Sequence, residues 1–595
     1  MILFDANKCV SCNSCIRACP TPEANKAVQT EDGRTVYNID PDKCIRCGAC
    51  VKDCSHGART YEDDTAGFWN DVKGGKQVVL LVAPSIKVAF DGCWRNVLEF
   101  LRSNGVKDIY DVSFGADICT WAHIRYLQKN PGKKLISQPC PAIVNYMLKY
   151  CKEALPNLSP VQSPILCAAI YLRKYLGVNA KLAALTPCIA KQDEFRMTGV
   201  VDYNVTFQHL GQLLEEKGFH LADQKGKRSA FEFSGPQGIM GAIYPRPGGL
   251  KACLELEAPS LNVISSEGTG HIYQELAQYP AVGARDLPDV FDVLSCGRGC
   301  GSGPAIGTPL SVYRMSGILN GIEKYNRNNR VKMDRKGRDK QFLAFDKKLD
   351  PADFLRSYTA HSIEQRSYTD EQIDEVLHSL GKHTDTEMNY NCHACGFRTC
   401  RELAKAILDG TSLPSSCSQF TLHEADRRRE QIAQTNDSIS AITTQLSEVV
   451  SRLTDSISGV TSATSGITEL NGQNSQQAAA LDRPEDTIQL PRGVGVQRGA
   501  GAGRKFRCSG SKKQHNTAGD SLADCVAQHD SRAAVACTPL RQQAQPRRCH
   551  RHPHKLLNKL RRDVGLHPPR RQKAPSHCPR HCHKRQARCQ DQQRS

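Results

Sequence analysis

The chain has 595 residues, 28 cysteines and a formal net charge of +18. Residues 481–595 hold 25 Lys and Arg against 8 Asp and Glu, so the basic character belongs to this segment, and the net charge says nothing about the partners of the nearly neutral rest of the chain. The sequence shows no basic leader with an apolar core and no apolar stretch of roughly 18 residues, which predicts a cytoplasmic protein without a membrane span.

The first 62 residues contain two regular four-cysteine runs, and cysteines in a reducing compartment are more often metal ligands than disulfides. Both runs have the spacing Cys-x2-Cys-x2-Cys-x3-Cys, which is that of two-cluster bacterial ferredoxins. In this pattern the fourth cysteine of each run completes the other 4Fe-4S cube. The expected ligand sets are Cys9, Cys12, Cys15 with Cys54, and Cys44, Cys47, Cys50 with Cys19. A pair of zinc knuckles or disulfides is the alternative, but zinc sites seldom use such evenly spaced runs.

Residues 75–375 alternate between short apolar runs and helical patterns, which predicts an α/β domain with ligands at the carboxyl ends of its strands. The predicted strands are Val78–Val82, Asp108–Val112, Lys134–Ser137, Lys181–Leu185, Leu261–Ser265 and Val290–Leu294. Helices predicted between them include Val97–Ser103, Ala142–Cys151, Leu166–Tyr175 and Phe207–Lys217.

Three of these apolar runs end in cysteine, as if several strand ends converged on one cluster. They lead to Cys140, to Cys188 and to the pair Cys296 and Cys300, which encloses two glycines. A loop with so few side chains lets a bulky metal centre approach backbone amides. Taken together, and in this order, the three stretches resemble the active-site signatures of FeFe hydrogenases. The resemblance extends over about residues 1–375.

The resemblance implies a hydrogenase H-cluster, a 4Fe-4S cube linked to a two-iron subcluster carrying CO and cyanide. Its cysteine ligands would be Cys140, Cys188, Cys296 and Cys300, with Cys300 bridging to the two-iron part. Lys191 would hydrogen-bond an iron-bound cyanide, and Glu194 matches a glutamate that the family uses in proton relay. The alternative for Lys191 and Glu194 is an ordinary solvated i, i+3 pair, and an isolated Pro-Cys pair is usually only a buried thiol.

The departures from the family pattern concern proton transfer. Active members place a cysteine that donates protons immediately before the first cluster cysteine, whereas this chain has Pro139. The glutamates that follow the family's Phe-Gly-Ala-Asp stretch are replaced by Ala122, His123 and Tyr126. Losing a positioned acid predicts turnover slower by roughly 10²- to 10⁴-fold, as in sensory FeFe hydrogenases. Either His123 or Cys119 could substitute as donor, with a packing role as the alternative.

Residues 385–420 contain a third cysteine motif with the spacing Cys-x2-Cys-x4-Cys-x16-Cys. Its members are Cys392, Cys395, Cys400 and Cys417. The motif resembles the small 4Fe-4S domain that follows the catalytic domain in sensory hydrogenases and that occurs in corrinoid iron–sulfur proteins. A zinc ribbon is the alternative. With the ferredoxin pair, this motif brings the expected cofactors to three 4Fe-4S clusters and one H-cluster.

Residues 421–480 show a heptad pattern in Ser-, Thr- and Gln-rich surroundings. The apolar residues spaced by seven are Ile432, Ile439, Leu446, Leu453, Val460 and Ile467. This spacing predicts a coiled coil and a homodimer, with a helix packed on its own domain as the alternative. Similar heptads occur in methyl-accepting chemotaxis transducers.

Residues 481–595 lack any core-forming pattern and are predicted to be a disordered tail. Without aromatic platforms, no specific nucleic-acid binding is expected. Shifting the codons of this region by one base can produce stretches similar to transducer signalling domains, which suggests a frame change in the coding sequence near Leu481. The DNA sequence would decide this.

Three functional hypotheses follow. The first is an iron–sulfur FeFe hydrogenase-type oxidoreductase that interconverts or senses dihydrogen and protons, slow and regulatory, with a ferredoxin-like electron partner or a signalling protein. The second is an ordinary ferredoxin-dependent catalytic hydrogenase. The third is a non-enzymatic iron–sulfur protein resembling the hydrogenase-like assembly factors, against which the retained Lys191 and Cys300 argue.

Overall fold

A computed structural model describes residues 1–335, 339–364 and 366–481. The chain divides into two compact units, Met1–Ser475 and Gln476–Ser595, and the architecture below is that of the first. Apart from Leu481, the predicted tail lies outside the described residues.

The N-terminal module combines short strands and single-turn helices. Strands β1 (Ile2–Phe4) and β4 (Arg59–Tyr61) pair antiparallel, and β2 (Asn25–Gln29) and β3 (Thr35–Ile39) form a hairpin. A helical turn follows the second cysteine of each run. These turns are Ser14–Arg17 and Ala49–Asp53.

The central region is mixed α/β and contains two parallel sheets. Its strands are β5 (Val78–Val82), β6 (Asp108–Asp111), β7 (Leu135–Ile136), β8 (Lys181–Thr186), β9 (Tyr203–Thr206), β10 (Val263–Glu267) and β11 (Val290–Leu294). One sheet has the order β6-β5-β8-β9 and the other β10-β11-β7. Both β5 and β11 are buried along their whole length, as expected of parallel strands covered on two faces, and Asp292 of β11 is the one polar residue among them.

Most predicted strands are present, with differences at their ends. The bounds of β5 and β11 were predicted correctly. Strand β7 is one residue shorter than predicted at each end, and β10 begins two residues later than predicted. Strand β9 was not predicted. Its sequence, Tyr-Asn-Val-Thr, alternates between less polar and polar side chains, so it lacks the continuous apolar run of its neighbours.

Longer helices occur along most of the described chain. They are Thr65–Lys73, Trp94–Ser103, Val112–Lys129, Pro141–Tyr150, Pro164–Ile170, Lys191–Thr198, Phe207–Glu216, Gly249–Glu257, Ile272–Gln278, Val312–Asn329, Lys340–Lys348, Asp370–Ser379, Cys400–Leu408 and Ser418–Leu481. The predicted helix Leu166–Tyr175 is divided into an α-helix ending at Ile170 and a π-helical turn, Tyr171–Tyr175.

The helix Val112–Lys129 lies in the core of the central region. It crosses Pro164–Ile170 so closely that a Cβ on Gly115 would lie 2.2 Å from the carbonyl oxygen of Pro164, so only glycine fits there. Trp121 of this helix is fully buried and contacts the rings of Phe345 and Phe354. Five cysteines of the described residues lie outside the predicted ligand sets, and all are buried, as expected of small apolar side chains: Cys93, Cys119, Cys151, Cys167 and Cys253.

The last described element is the 64-residue helix Ser418–Leu481. None of its side chains is buried, so the alternative in which this helix packs on its own domain is wrong for the described residues. None of the helices in the described part of the chain is both long and apolar enough to cross a bilayer.

Candidate functional site

The carboxyl ends of four strands from the two sheets meet at one cavity, which we call the central cavity. Strands β7, β8 and β11 deliver Cys140, Cys188, Cys296 and Cys300 to its wall, and the segment after β5 contributes Ala83 and Pro84. Both sheets therefore bring predicted ligand cysteines to the same cavity. Most of the remaining wall is apolar and includes Pro139, Pro187, Leu294 and Pro304.

The cysteine thiols of the central cavity are poor acids in this environment. Burial and, after it, the neighbouring Cys140 raise the pKa of Cys188 to about 12. The pKa of Cys300 is raised to about 12 for the same two reasons, while Lys191 lowers both values. A cationic metal centre is the partner that makes such thiols ionise. The donor set therefore fits a thiolate-bound metal group.

The four cysteines of the central cavity line its wall and do not gather around a single point. Among the described residues, no three His, Cys, Asp or Glu side chains are placed to hold a single metal ion. A tetrahedral zinc ion with bonds of about 2.3 Å would draw its sulfurs together.

Lys191 lines the central cavity and belongs to a buried polar cluster. Its Nζ lies 2.5 Å from Glu194 Oε2 and 3.1 Å from Ser163 Oγ. The Ser163 hydroxyl also donates to Glu194, and Arg356 approaches the other carboxylate oxygen at 3.5 Å. Lys191 and Glu194 are 7% and 1% exposed, so the alternative of a solvated pair is wrong. Glu194 is not among the described residues that line the cavity. Its carboxylate instead contacts the Lys191 ammonium.

Pro139 lines the central cavity, at the position where the family has its donor cysteine. His123 is completely buried, with Nδ1 2.8 Å from the carbonyl oxygen of Cys119 and Nε2 2.9 Å from Ser159 Oγ. Neither His123 nor Cys119 is among the described residues of the cavity wall. Because a general acid must lie within hydrogen-bond reach of its target, the geometry favours a packing role for both side chains.

Three polar residues around the central cavity were missed in the sequence. Tyr244 lines the wall and shares a 2.7 Å hydrogen bond with Thr120, and Ser163 and Arg356 position Lys191 through Glu194. Only Ser163 carries a sequence signal, since a serine before Pro164 is typical of a helix start. The other two approach from distant parts of the chain.

The N-terminal module contains two cysteine sites with the crosswise sets that the sequence predicts. The first ferredoxin site is a cavity lined by Cys9, Cys12, Cys15 and Cys54. At the second ferredoxin site, burial and then the nearby Cys19 raise the pKa of Cys47 and Cys50, which places Cys19 beside the other run. The remaining predicted ligand of the second set is Cys44.

The C-terminal site is a cavity lined by Cys392, Cys395, Cys400 and Cys417, together with Lys382. His393 lies between two of these cysteines, and its Nδ1 is 3.3 Å from the carbonyl oxygen of Phe397. This nitrogen is thus engaged with the backbone.

Unfavourable backbone conformations are concentrated at these three sites. The non-glycine residues with positive φ in the described part of the chain are Ser11, Asn13, Arg46, Asn391 and His393. Each of them lies within two residues of a predicted ligand. Left-handed backbone costs free energy and persists where the surroundings require it, and loops of this kind turn their N–H groups towards an anionic guest.

Three family models match parts of the chain. Residues 76–262 match the family described as iron only hydrogenase large subunit, C-terminal domain; residues 1–55 match the 4Fe-4S dicluster domain, and residues 389–419 match a small Fe-S cluster domain. No curated protein matches the chain.

Several solved structures are also similar. Two variants of an FeFe hydrogenase from Chlamydomonas reinhardtii share 17% and 16% identity over 48% of this chain and 95% of theirs, with TM-scores of 0.38 and 0.36. An FeFe hydrogenase captured during stepwise H-cluster assembly shares 17% identity over 48% of this chain and 94% of its own, with a TM-score of 0.36.

Proposed function

The chain is an iron-only hydrogenase-like protein with an iron–sulfur domain on each side of its hydrogenase domain, and we propose that it interconverts dihydrogen with protons and electrons slowly and thereby reports dihydrogen. The observation that carries this proposal is the central cavity itself. Four cysteines and the buried Lys191 line it, and Pro139 occupies the place of a proton donor.

Cys140, Cys188, Cys296 and Cys300 would hold the H-cluster, with Cys300 shared between its two parts. When bound, this group supplies the metal at which dihydrogen is converted to two protons and two electrons. The apolar wall, with Pro187 among its residues, excludes water around the group and strengthens the electrostatic interactions there.

Lys191 presents a fixed positive charge to the anionic group in the cavity. Its ammonium is oriented by Glu194 and Ser163, and Arg356 in turn balances the carboxylate. A cation held in a water-poor site stabilises negative charge without reorganisation. Glu194 therefore acts as a positioning residue for Lys191, and a role of Glu194 in proton relay remains a prediction from the family pattern.

Pro139 is the reason why we propose slow turnover. It has no exchangeable hydrogen, and His123 and Cys119 lie outside the wall of the cavity. A proton must therefore reach or leave the site without a side-chain acid at the usual position. Missing acid–base assistance slows a reaction by roughly 10²- to 10⁴-fold and leaves binding of the gas possible. Such a site suits detection better than bulk turnover.

The cysteine modules on both sides would carry electrons to and from the central cavity. We assign 4Fe-4S clusters to residues 1–62 and 385–420, the H-cluster domain to 75–375, and a dimeric coiled coil to 421–480. The exposed apolar side chains of the long helix support the last assignment. Through this helix, a homodimer would pass the state of the site to a signalling protein.

Infrared spectroscopy tests the proposal on the anaerobically matured full chain, with and without dihydrogen. We expect bands of iron-bound CO and cyanide that shift with the gas, together with a turnover at least about 10²-fold below that of catalytic hydrogenases. Turnover within tenfold of those enzymes would favour the ordinary catalytic function instead. Intact iron–sulfur clusters without CO and cyanide bands, after competent maturation, would contradict hydrogenase chemistry altogether.

A further inference from the structure

The C-terminal module packs directly on the ferredoxin module, although contacting residues such as Tyr37 and Ser416 are 379 positions apart in sequence. Ile16 and Tyr37 share a buried apolar cluster with Cys395, Phe397 and Cys417. The fit is close, since a Cβ on Gly396 would lie 2.7 Å from Ile16 Cβ. Backbone contacts extend the interface, because the amide of Ala27 in β2 donates to the carbonyl of Thr411 at 2.8 Å.

A continuous line of buried contacts joins the first ferredoxin site to the C-terminal site. Arg59 Nη2 lies 3.7 Å from Cys15 Sγ and also donates to the carbonyl oxygen of Tyr37. The hydroxyl of Tyr37 donates to Ser416 Oγ at 2.7 Å and lies 2.9 Å from Ser412 Oγ. Ser416 immediately precedes the ligand Cys417. Two side chains therefore bridge the two sites.

Arg59 is the charged member of this line. It is 3% exposed, it lines the first ferredoxin site, and its Nε and Nη1 have no acceptor among the described residues. A buried guanidinium with unmatched donors is costly unless an anion lies nearby. A thiolate-bound iron–sulfur cluster, which gains a further negative charge on reduction, would be such an anion.

We propose that Arg59, Tyr37 and Ser416 couple the first ferredoxin site to the C-terminal site, so that the charge at one site changes the reduction potential at the other. Arg59 stabilises the reduced form of the group at the first site. Tyr37 fixes the position of Arg59 through its carbonyl group and is itself held by Ser416 through its hydroxyl group. This inference rests on the proposed function in one respect, namely that both sites hold 4Fe-4S clusters.

The sign of the coupling between the two reduction potentials can be measured. A coupling free energy between two sites is reciprocal, so adding one electron at the C-terminal site should disfavour reduction at the first ferredoxin site, and the reverse. The second ferredoxin site is not part of the line of contacts. We therefore expect its potential to stay nearly constant when the bridge is changed.

A redox titration monitored by electron paramagnetic resonance tests this on the reconstituted full chain. In Arg59→Gln we expect reduction at the first ferredoxin site to become about tenfold less favourable, a shift of about 59 mV to lower potential for a one-electron couple, with the C-terminal site shifted as well. Arg59→Lys should restore most of the shift at the first site, because the positive charge remains.

Tyr37→Phe tests the bridge with its ring volume unchanged. We expect severalfold changes in the reduction equilibria of both sites, and we expect the first site to become independent of the Cys395→Ser substitution that disables the C-terminal site. Tyr61→Phe is the matched control, since Tyr61 is a buried tyrosine of the same module whose hydroxyl contacts Thr206 instead.

The outcomes separate this inference from the proposed function. Shifts at both sites in Arg59→Gln and Tyr37→Phe, with Tyr61→Phe unchanged, would support the bridge. Intact clusters that titrate independently in Tyr37→Phe and in the native chain alike would overturn it and leave the proposed function standing. Absence of clusters from either module would overturn both. If Arg59→Gln fails to assemble, the comparison of Tyr37→Phe with Tyr61→Phe decides alone.

Discussion

The central cavity and the long C-terminal helix differ in whether their apolar side chains are covered by the same chain. The walls of the cavity come from two sheets of the same chain, and even its cation, Lys191, is 7% exposed. Along the helix Ser418–Leu481 the seam side chains remain in solvent, with Ile432 60% and Leu446 62% exposed. One chain supplies both sheets that form the wall of the cavity, whereas it leaves the apolar seam of the helix uncovered. Exposed apolar stripes of this length indicate an interaction surface.

The largest effect is expected from removing a ligand of the central cavity. Cys300→Ser should abolish the CO and cyanide bands and the dihydrogen activity, because an alkoxide is a poor substitute for a soft thiolate ligand. Cys151→Ser is the matched control, since its thiol only donates to the carbonyl of Leu276 and a hydroxyl can do the same. If infrared bands survive in Cys300→Ser, the assignment of Cys300 is incorrect.

A smaller but still large effect is expected from restoring a proton donor. Pro139→Cys should raise turnover by roughly 10²- to 10⁴-fold, the usual contribution of a positioned acid. Pro139→Ala removes the ring without supplying a proton and serves as the control in the same gas-evolution assay. Equal rates in the two variants would show that the missing acid does not limit turnover.

The helix provides the opposite side of the comparison. Replacing Leu446 and Leu453 with Lys should weaken self-association at least about 100-fold, because burying one leucine contributes about 1.5–3 kcal/mol. Analytical ultracentrifugation of the full chain measures this. The pair Thr444→Lys and Ser451→Lys adds the same charge on the outer face of the heptad. A monomeric native chain, or equal effects of the two pairs, would refute the coiled-coil dimer.

The smallest effect concerns the support of the cavity. Burial raises the pKa of Asp292 in β11 to about 6, although the amide of Lys251 and the hydroxyl of Ser137 bond its carboxylate. The unfolded chain releases this proton near pH 4. Between about pH 4 and about pH 6 the folded state therefore binds more protons than the unfolded state. The free energy of unfolding should therefore fall by about 2–3 kcal/mol as pH rises from about 4 to about 6.

Denaturant titrations of the native chain and Asp292→Asn at several pH values measure this contribution. The native chain should lose stability with rising pH in that window, and the variant should lose less. A similar slope in both proteins would mean that the carboxyl group of Asp292 ionises as easily in the folded chain as in the unfolded one.

The sequence predicts best what is local. Cysteine spacing anticipated the crosswise ferredoxin sets, including Cys54 at the first site, because ligand chemistry fixes the spacing. The limits of β5 followed from a wholly apolar run and those of β11 from a mostly apolar one. Contacts between distant segments were beyond such reasoning. Tyr244 and Arg356 have no neighbouring motif, and the burial of Lys191 with Glu194 depends on the packing of Arg356 from 162 residues away.

The position of Cys417 gives the long helix a mechanical meaning. The helix begins at the next residue, Ser418, and the amide of Thr421 donates to the carbonyl of Cys417 at 3.0 Å. At 1.5 Å per residue, its 64 residues extend about 96 Å. A tilt of about one degree at the base of such a lever would displace its far end by nearly 2 Å. A small rearrangement around a single cysteine would thus be magnified into a movement large enough for a second protein to recognise.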